Sequence, residues 1–120
     1  MSNMKKLIIM CLVLFVNNAK AQVVNWVDND YNADIKVFVT DYKYEADIVV
    51  FKTNYKYDAK AKPGQWWWEE NPDGRYEYNK MNVVEVKYKY QADFIVYFTN
   101  YKHEIKLNQE YLNVIEEWER

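Results

Sequence analysis

The sequence predicts a small, mainly β domain of short strands and connectors that repeat every 13 residues and end in a short C-terminal α-helix. Three apolar runs have the length of strands, at 35–39, 48–51 and 94–98. A phrase of alternating aromatic and charged residues precedes two of these runs, as in Tyr42-Lys43-Tyr44-Glu45-Ala46-Asp47. Related phrases bring the copies to five, and Ala33, Ala46 and Ala59 mark the 13-residue step.

The N-terminus has the pattern of a secretory signal peptide. Lys5 and Lys6 precede an apolar run at 7–16, and Ala19 and Ala21 provide the small residues of a cleavage site. The run is too short for a membrane span, which needs about 20 residues. A lipid anchor on Cys11 is the alternative, although this cysteine lies within the apolar run. We expect residues 1–21 to be removed and 22–120 to form one exported domain, in the periplasm or outside the cell.

Charge and composition limit the partners of this domain. Removing Lys5, Lys6 and Lys20 from the 16 basic residues leaves 13 against 18 acidic ones, a net charge of −5. This balance argues against nucleic acid or an anionic membrane as a partner. All 12 Tyr and 5 Trp follow residue 21, so we expect aromatic rings both in the core and on the surface.

The strands carry apolar residues on both faces. Because alternate residues of a strand face opposite sides, one face receives two apolar columns; these are Ile35, Ile48 and Phe94, then Val37, Val50 and Val96. The other face receives Lys36, Val49 and Ile95, then Phe38, Phe51 and Tyr97. Strands of this type belong inside a layered structure with little of either face open to water.

The connectors carry two columns of tyrosine with a lysine between them. We expect each connector to form a single helical or 3₁₀ turn, with its tyrosines packed over the strand ends. Parallel neighbours in a sheet need a crossover of roughly a dozen residues or more, whereas about seven are available. The sequence therefore predicts that successive strands run antiparallel or cross to an opposing layer.

The regular step is interrupted between Ala59 and Ala92. Pro63-Gly64 and Pro72-Asp73-Gly74 are turn signals, so we expect a hairpin or two irregular strands at 65–70 and 75–79, then a strand near 83–87. After the last copy the apolar period becomes helical, which predicts a helix at about 108–118 capped by Asn108 and docked on the sheet. The apolar side of this helix consists of Leu107, Tyr111, Leu112, Ile115 and Trp118.

The cadence from Ala33-Asp34 through Val37-Phe38-Val39 to Ala46-Asp47 resembles the bacterial septoil-knot family. The resemblance covers roughly residues 25–107 and departs from the simple cadence at 60–86. It implies a compact knotted monomer whose backbone forms a seven-crossing torus knot. The family brings no established activity, so the resemblance implies no catalytic residue and no cofactor.

Several residues invite a chemical interpretation. His103 is the single histidine and the one candidate base near neutral pH, but it stands in a column that holds tyrosine elsewhere, which favours packing. No serine follows Ser2 and no cysteine follows Cys11, which excludes Ser and Cys nucleophile triads. The stretch at 28–32 begins like a calcium loop, but Ala33 and Val39 replace the Gly and Glu that such a loop requires.

Two further patterns have a structural alternative. Asp34, Asp47 and Asp93 could serve as the paired carboxylates of a glycosidase, but they share one column at strand starts, which favours a capping role. The interleaved Lys and Tyr at 86–90 are similar to strands that stack single-stranded nucleic acid. Neighbouring acidic residues and the negative net charge favour a surface of mixed ion pairs instead.

The tryptophan run offers a possible binding surface. Trp66, Trp68, Tyr76 and Tyr78 could form a stacking platform for a sugar or another small ligand, while Trp67 faces the other way. Two functions follow from the sequence: a non-enzymatic, protease-resistant structural or interaction module, or a carbohydrate or small-ligand binding module that uses the 66–78 region. Buried rings at Trp66 and Trp68 favour the first. A carboxylate-based hydrolase is the third alternative.

Overall fold

A computed structural model describes residues 22–118, so the predicted signal peptide at 1–21 lies outside the described residues. Within this part of the chain there are six strands: β1 Val24–Val27, β2 Ile35–Val39, β3 Ile48–Lys52, β4 Gln65–Trp66, β5 Met81–Glu85 and β6 Phe94–Thr99. The helices are α1 Lys56–Ala61 and α2 Gln109–Trp118. Four 3₁₀ turns complete the elements: η1 Asp30–Asn32, η2 Lys43–Glu45, η3 Lys89–Gln91 and η4 Lys102–Glu104.

The strands form one barrel-like sheet in the order β1-β5-β2-β6-β3-β4. A parallel bridge between Val23 and Trp67 connects the two edge strands, and the Val24 amide donates to the Trp67 carbonyl at 2.9 Å. The chain therefore passes one neighbouring strand between β1 and β2, between β2 and β3, and between β5 and β6. Lys106 adds an antiparallel bridge to Val49, on the same edge of β3 as β4.

The prediction that successive strands run antiparallel or cross to an opposing layer is wrong, because the strands lie in one sheet in which each pairing is parallel. The connector from β2 to β3 has eight residues, 40–47. Such a segment can reach up to about 28 Å, whereas a five-residue strand is roughly 17 Å long. A nearly extended connector with one 3₁₀ turn can thus return to the start of the sheet without the longer helix that the crossover rule assumes.

The inner face of the sheet holds the core, as the strand columns predict. Val37, Val50 and Val96 are wholly buried, and the core also includes Val24, Ile35, Ile48, Trp66, Met81, Val83 and Phe94. Val37 lies opposite Phe94, and Ile48 lies opposite Val96, so each neighbouring strand is displaced by two residues. This stagger tilts the strands as closure of a sheet requires.

The interrupted interval is only partly a sheet. β4 has two residues and pairs with β3 in parallel, and residues 75–79 contain no strand, so the predicted hairpin is wrong. The strand expected near 83–87 begins earlier, at Met81. Turn residues end the strand here. The backbone N–H and C=O groups of the following segment form hydrogen bonds with side chains instead of with a second strand.

Buried asparagines provide those partners. The Asn82 side chain donates to the carbonyls of Glu77 and Lys80 at 2.9 and 3.0 Å, and its oxygen accepts the Glu77 amide at 2.9 Å. The side-chain Nδ2 of Asn25 donates to the side-chain oxygen of Asn82 and to the backbone carbonyl of Arg75, both at 2.8 Å. These contacts attach the irregular segment to β1 and β5.

The C-terminal helix forms where the apolar period predicts it. The Tyr111 amide donates to the Asn108 side chain at 2.8 Å, which is the expected N-terminal cap. Tyr111 and Ile115 enter the core, and Leu107, Val114 and Trp118 pack against it. The helix therefore contributes its apolar side to the core of the sheet.

Candidate functional site

The connectors cross the outer face of the strands that they pass. The Lys89 ammonium of η3 lies 5.9 Å from the centre of the Phe38 ring on β2. In the same way, the Lys102 ammonium of η4 lies 5.6 Å from the centre of the Phe51 ring on β3. In these two connectors the lysine thus covers the outward aromatic residue of the strand beneath it.

A threonine at the end of the preceding strand fixes the shape of three connectors. The Tyr42 amide donates to the Thr40 hydroxyl at 3.1 Å, and that hydroxyl donates to the Glu45 carboxylate. Thr53 and Thr99 repeat these two contacts, with Asp58 and Glu104 as the acceptors.

The sequence carries a signal for this contact that our sequence analysis missed. Where the threonine position holds Val27 or Val86, the residue five places later is an amide, Asn32 or Gln91. A carboxylate stands there only in the three copies that have a hydroxyl to donate to it. The pairing of Thr with Asp or Glu at this spacing therefore predicts the turn.

Ion pairs join neighbouring connectors. The Lys89 ammonium lies 2.9 Å from Glu45, and the Lys43 ammonium lies 2.8 Å from Glu104. Hydrogen bonds from Thr40 and Lys89 lower the pKa of Glu45, and those from Lys43 and Thr99 lower the pKa of Glu104. The Glu104 carboxylate in turn raises the pKa of Lys43. These pairs place η3, η2 and η4 side by side on the outside of the sheet.

The three repeated aspartates extend the sheet. The Asp47 amide donates to the Ile95 carbonyl at 2.7 Å, and its carboxylate accepts the Ile95 amide at 2.8 Å. Asp34 makes the same two contacts with Asn82, and Asp93 makes them with Lys36. Each carboxylate thus replaces a ladder hydrogen bond at a strand start, which is the capping role that the sequence favours.

The connector tyrosines are exposed, which contradicts their predicted packing over strand ends. They form what we call the tyrosine belt: Tyr31, Tyr42, Tyr44, Tyr55, Tyr57, Tyr88, Tyr90 and Tyr101. Their exposed fractions range from 50 to 85%. The packing prediction fails because the connectors lie outside the strands, and in η3 and η4 the lysine between the two rings takes the inward direction.

In three of the connectors, η2, η3 and η4, the two rings contact each other. The centres of the Tyr88 and Tyr90 rings are 5.7 Å apart with the planes stacked at 11°, and those of Tyr42 and Tyr44 are 5.7 Å apart at 40°. His103 takes the place of the second tyrosine beside Tyr101, with ring centres 5.8 Å apart. His103 is therefore an exposed member of a ring pair.

The predicted platform at 66–78 is not one surface. Trp66 is wholly buried, and Trp68 is half-buried, with its ring centre 5.4 Å from that of Trp26. Tyr76 and Tyr78 are exposed, with ring centres 6.4 Å apart. Trp66 thus offers no surface to a ligand, and the exposed part of the platform consists mainly of the two tyrosines.

The buried end of this cluster is a structural hydrogen bond. The Trp66 indole donates to the Tyr111 hydroxyl at 2.8 Å. Burial raises the pKa of Tyr111 well above its usual value, while hydrogen bonds with Trp66 and Gln22 act in the opposite direction. Tyr111 therefore stays neutral at physiological pH and fills the core.

The possible calcium loop begins at Asp28, directly after the end of β1 at Val27. The Asp28 amide donates to the Gly74 carbonyl at 3.3 Å, and Gly74 has a φ of 61° with the Asp28 carboxylate directly against its Cα. Asp30 begins the 3₁₀ turn η1. Among residues 22–118, no group of three or more His, Cys, Asp or Glu side chains is arranged to hold a metal ion.

The described helices are also too short or too polar for a membrane. Within residues 22–118, none reaches the length and apolar character that crossing a bilayer requires. Fold and surface together define a small barrel-like domain of parallel strands whose outer connectors carry paired tyrosines.

This chain belongs to the septoil-knot family, because the profile of the 7(1) septoil knot domain matches its residues 19–108. The match confirms the resemblance inferred from the repeated cadence. It ends before α2, so the helix that enters the core lies beyond the matched region. No curated protein and no solved structure matches the chain in the corresponding searches.

Proposed function

We propose that the protein is an exported, non-enzymatic module that acts by contact, in which a protease-resistant barrel presents the tyrosine belt to a partner. One observation carries this proposal. The connector carboxylates Glu45 and Glu104 are engaged with lysine and threonine of the same chain, while eight tyrosines beside them stay at least 50% exposed. Rings that fold the protein would be buried, so these rings are available for a partner.

The proposal includes a knotted backbone, which would explain resistance to proteases. Its support is the family match and the order of the segments. Counting Lys106, which shares an edge of β3 with β4, seven segments form the barrel, and the chain passes one neighbouring strand at each connection except that from β3 to β4, which pair directly. A path of this kind winds twice around a ring before it meets its start, as a torus knot does.

Pulling on the two termini of a single molecule tests the knot. An unknotted chain extends by up to about 3.6 Å per residue. A knotted chain stops short of that length because the knot tightens instead of opening. Full extension of residues 22–118 would contradict the knot but would leave the contact function in place.

Substitution of the most exposed belt column tests the contact function. The variant combines Tyr31→Ser, Tyr44→Ser, Tyr57→Ser and Tyr90→Ser, and the control combines Tyr76→Ser with Tyr78→Ser. We expect both proteins to keep the urea midpoint and the protease half-life of the natural chain. Only the belt variant should lose retention in the envelope of the producing bacterium. A belt variant that unfolds would show that the rings serve the fold, and unchanged retention would show that they contact no partner.

Export has a separate test. Mass spectrometry of the protein recovered from outside the cytoplasm should give Gln22 as the first residue, because Ala19 and Ala21 fit the peptidase. An N-terminus displaced by more than two or three residues, or a lipid on Cys11, would contradict this part of the proposal.

A carbohydrate or small-ligand site at 66–78 is the second candidate. The exposed edge-to-face pair of Tyr76 and Tyr78 favours it. NMR titration with neutral oligosaccharides should then shift the signals of Tyr76, Tyr78 and Trp68 while Trp66 stays unchanged. Shifts that appear only on the belt would exclude this candidate.

A further inference from the structure

We infer that the partner of the tyrosine belt is an uncharged polysaccharide, which lies across η3, η2 and η4 and stacks on their aromatic pairs. This inference rests on the proposed contact function and names the chemistry of the partner. The pairs concerned are Tyr88 with Tyr90, Tyr42 with Tyr44, and Tyr101 with His103.

The rings have the form that a sugar requires. The Tyr90 and Tyr44 side chains are 84 and 85% exposed, and each contacts its partner ring in the same connector. A tyrosine ring offers a flat apolar face to the C–H groups of a sugar and a hydroxyl for its polar groups. Because it has only two rotatable side-chain bonds, little conformational entropy is lost when it binds.

The charges next to the rings favour a neutral partner. Lys89 and Lys43 are paired with Glu45 and Glu104 of the adjacent connectors, at 2.9 and 2.8 Å. A charged partner would have to compete with these pairs, and the connectors need both glutamates for their threonine contacts. An anionic polymer would also meet the net charge of −5 that the 13 basic and 18 acidic residues give the exported chain. An uncharged chain avoids both costs.

The repetition of the surface favours a polymer. The two ion pairs set three connectors side by side, and each crosses a neighbouring strand of the sheet, where strands lie about 4.8 Å apart. Equivalent ring pairs thus recur at a regular interval around the barrel. A ligand with repeating units can occupy several of them at once and gain affinity from their number. A folded protein partner has no such repeat and would use only a part of the surface.

Affinity electrophoresis of the full chain, expressed with its own N-terminus, tests the inference. The gels contain soluble xylan or dextran, insoluble chitin and cellulose are tested by co-sedimentation, and heparin is the charged comparison. In this experiment the belt variant carries two of the four earlier substitutions, Tyr44→Ser and Tyr90→Ser, which lie in connectors with ring pairs. The matched control is Tyr76→Ser combined with Tyr78→Ser. Urea unfolding first establishes that all proteins are folded.

We expect at least one neutral polysaccharide to bind the natural chain and the control equally. The association constant of the belt variant should be lower by about tenfold or more, the scale of an aromatic hot spot at an interface. Substituting Phe at positions 44 and 90 keeps the ring faces and should restore most of the binding. Raising the salt concentration should leave the binding unchanged, because no free charge is used.

Three results would overturn the inference: no neutral polysaccharide binds, only heparin binds, or the Tyr76 and Tyr78 control loses binding as much as the belt variant. Envelope retention of the same variants separates this failure from failure of the proposed function. If the belt variant loses retention without any polysaccharide binding, the contact function stands and the partner is a protein. If retention is unchanged, both proposals fail.

Discussion

The inner aromatic residues of this protein are buried in the barrel, whereas the outer aromatic residues are exposed to solvent. Trp66 and Tyr111 are wholly buried and hydrogen-bonded to each other, and Phe98 packs its ring edge to face against Trp66. Tyr44 and Tyr90 lie outside the sheet with most of their surface in water. The inner rings therefore stabilise the barrel, whereas the outer rings add little to its stability by burial.

Residue type does not decide this difference. Tyr111 and Tyr44 are the same amino acid, but one lies on the apolar side of a helix and the other on a connector that crosses the outside of a strand. In the connectors the inward direction is already taken by lysine stems over Phe38 and Phe51. The comparison shows that repeated aromatic side chains stay exposed to solvent when the lysines beside them cover the strands.

The largest expected effect concerns the inner set. Trp66→Ala should lower the free energy of unfolding by about 3–5 kcal/mol, since a large buried ring and its packing are lost. Trp68→Ala removes a half-buried ring and should cost less. Urea unfolding measures both, and unfolding rates replace midpoints if equilibrium is not reached. A loss below about 1 kcal/mol at Trp66 would contradict its core position.

The asparagine network should come next. Asn82→Ala removes the donor to the carbonyls of Glu77 and Lys80 and the buried acceptor of the Asn25 side chain, and losing these buried and partly buried hydrogen bonds should cost about 1–3 kcal/mol. We expect proteolysis of this variant to begin within 67–80, because that segment loses its attachment. The exposed Asn54 provides the control as Asn54→Ala. Equal protease patterns in the two variants would show that the network does not hold the segment.

The two faces of β3 give a matched pair of substitutions, one similar in cost to Asn82→Ala and one smaller. Val50→Ala should cost about 1–3 kcal/mol through lost methyl groups and a cavity. Lys52→Ala should cost under about 1 kcal/mol, since Lys52 is exposed and contributes a surface cation–π contact, with its ammonium 4.5 Å from the Trp68 ring centre. Equilibrium unfolding of both variants gives the comparison, and equal losses would mean that the faces are assigned wrongly.

Acid should weaken the connectors. Glu45 and Glu104 have a lower pKa in the folded chain than their usual value of 4.5. Below that pH the unfolded chain binds more protons than the folded one, so stability is lost as the pH falls through the folded pKa values. Urea midpoints measured from pH 7 downward should show this decline. In Glu104→Gln the decline should be shallower, and an identical decline would exclude Glu104 as a cause.

The outer set should give the smallest effects. Tyr44→Ser should change the free energy of unfolding by less than about 0.5 kcal/mol, as exposed substitutions do. His103→Tyr, which restores the tyrosine of the other connectors, should stay within about 1 kcal/mol. Thermal and urea unfolding test both. A loss near that of Trp66→Ala would remove the distinction between the two aromatic sets.

The sequence alone determined the elements whose cause is local. Alternation at Val37 and Val50 predicted the inner strand face, and the helical period with Asn108 predicted α2 and its cap, because side-chain direction follows from backbone period. The Thr40 and Glu45 pairing was also present in the sequence, although it was overlooked.

Only the tertiary structure decided how distant segments meet. Strand direction depended on the connector's reach across a neighbouring strand, and the Val23 to Trp67 bridge depended on two segments far apart in the chain. Burial of Trp66 followed from the arrival of α2, and exposure of Tyr44 followed from its connector's path outside β6. Periodicity specifies which side of an element is apolar, but the layer that covers that side is set by the whole chain path.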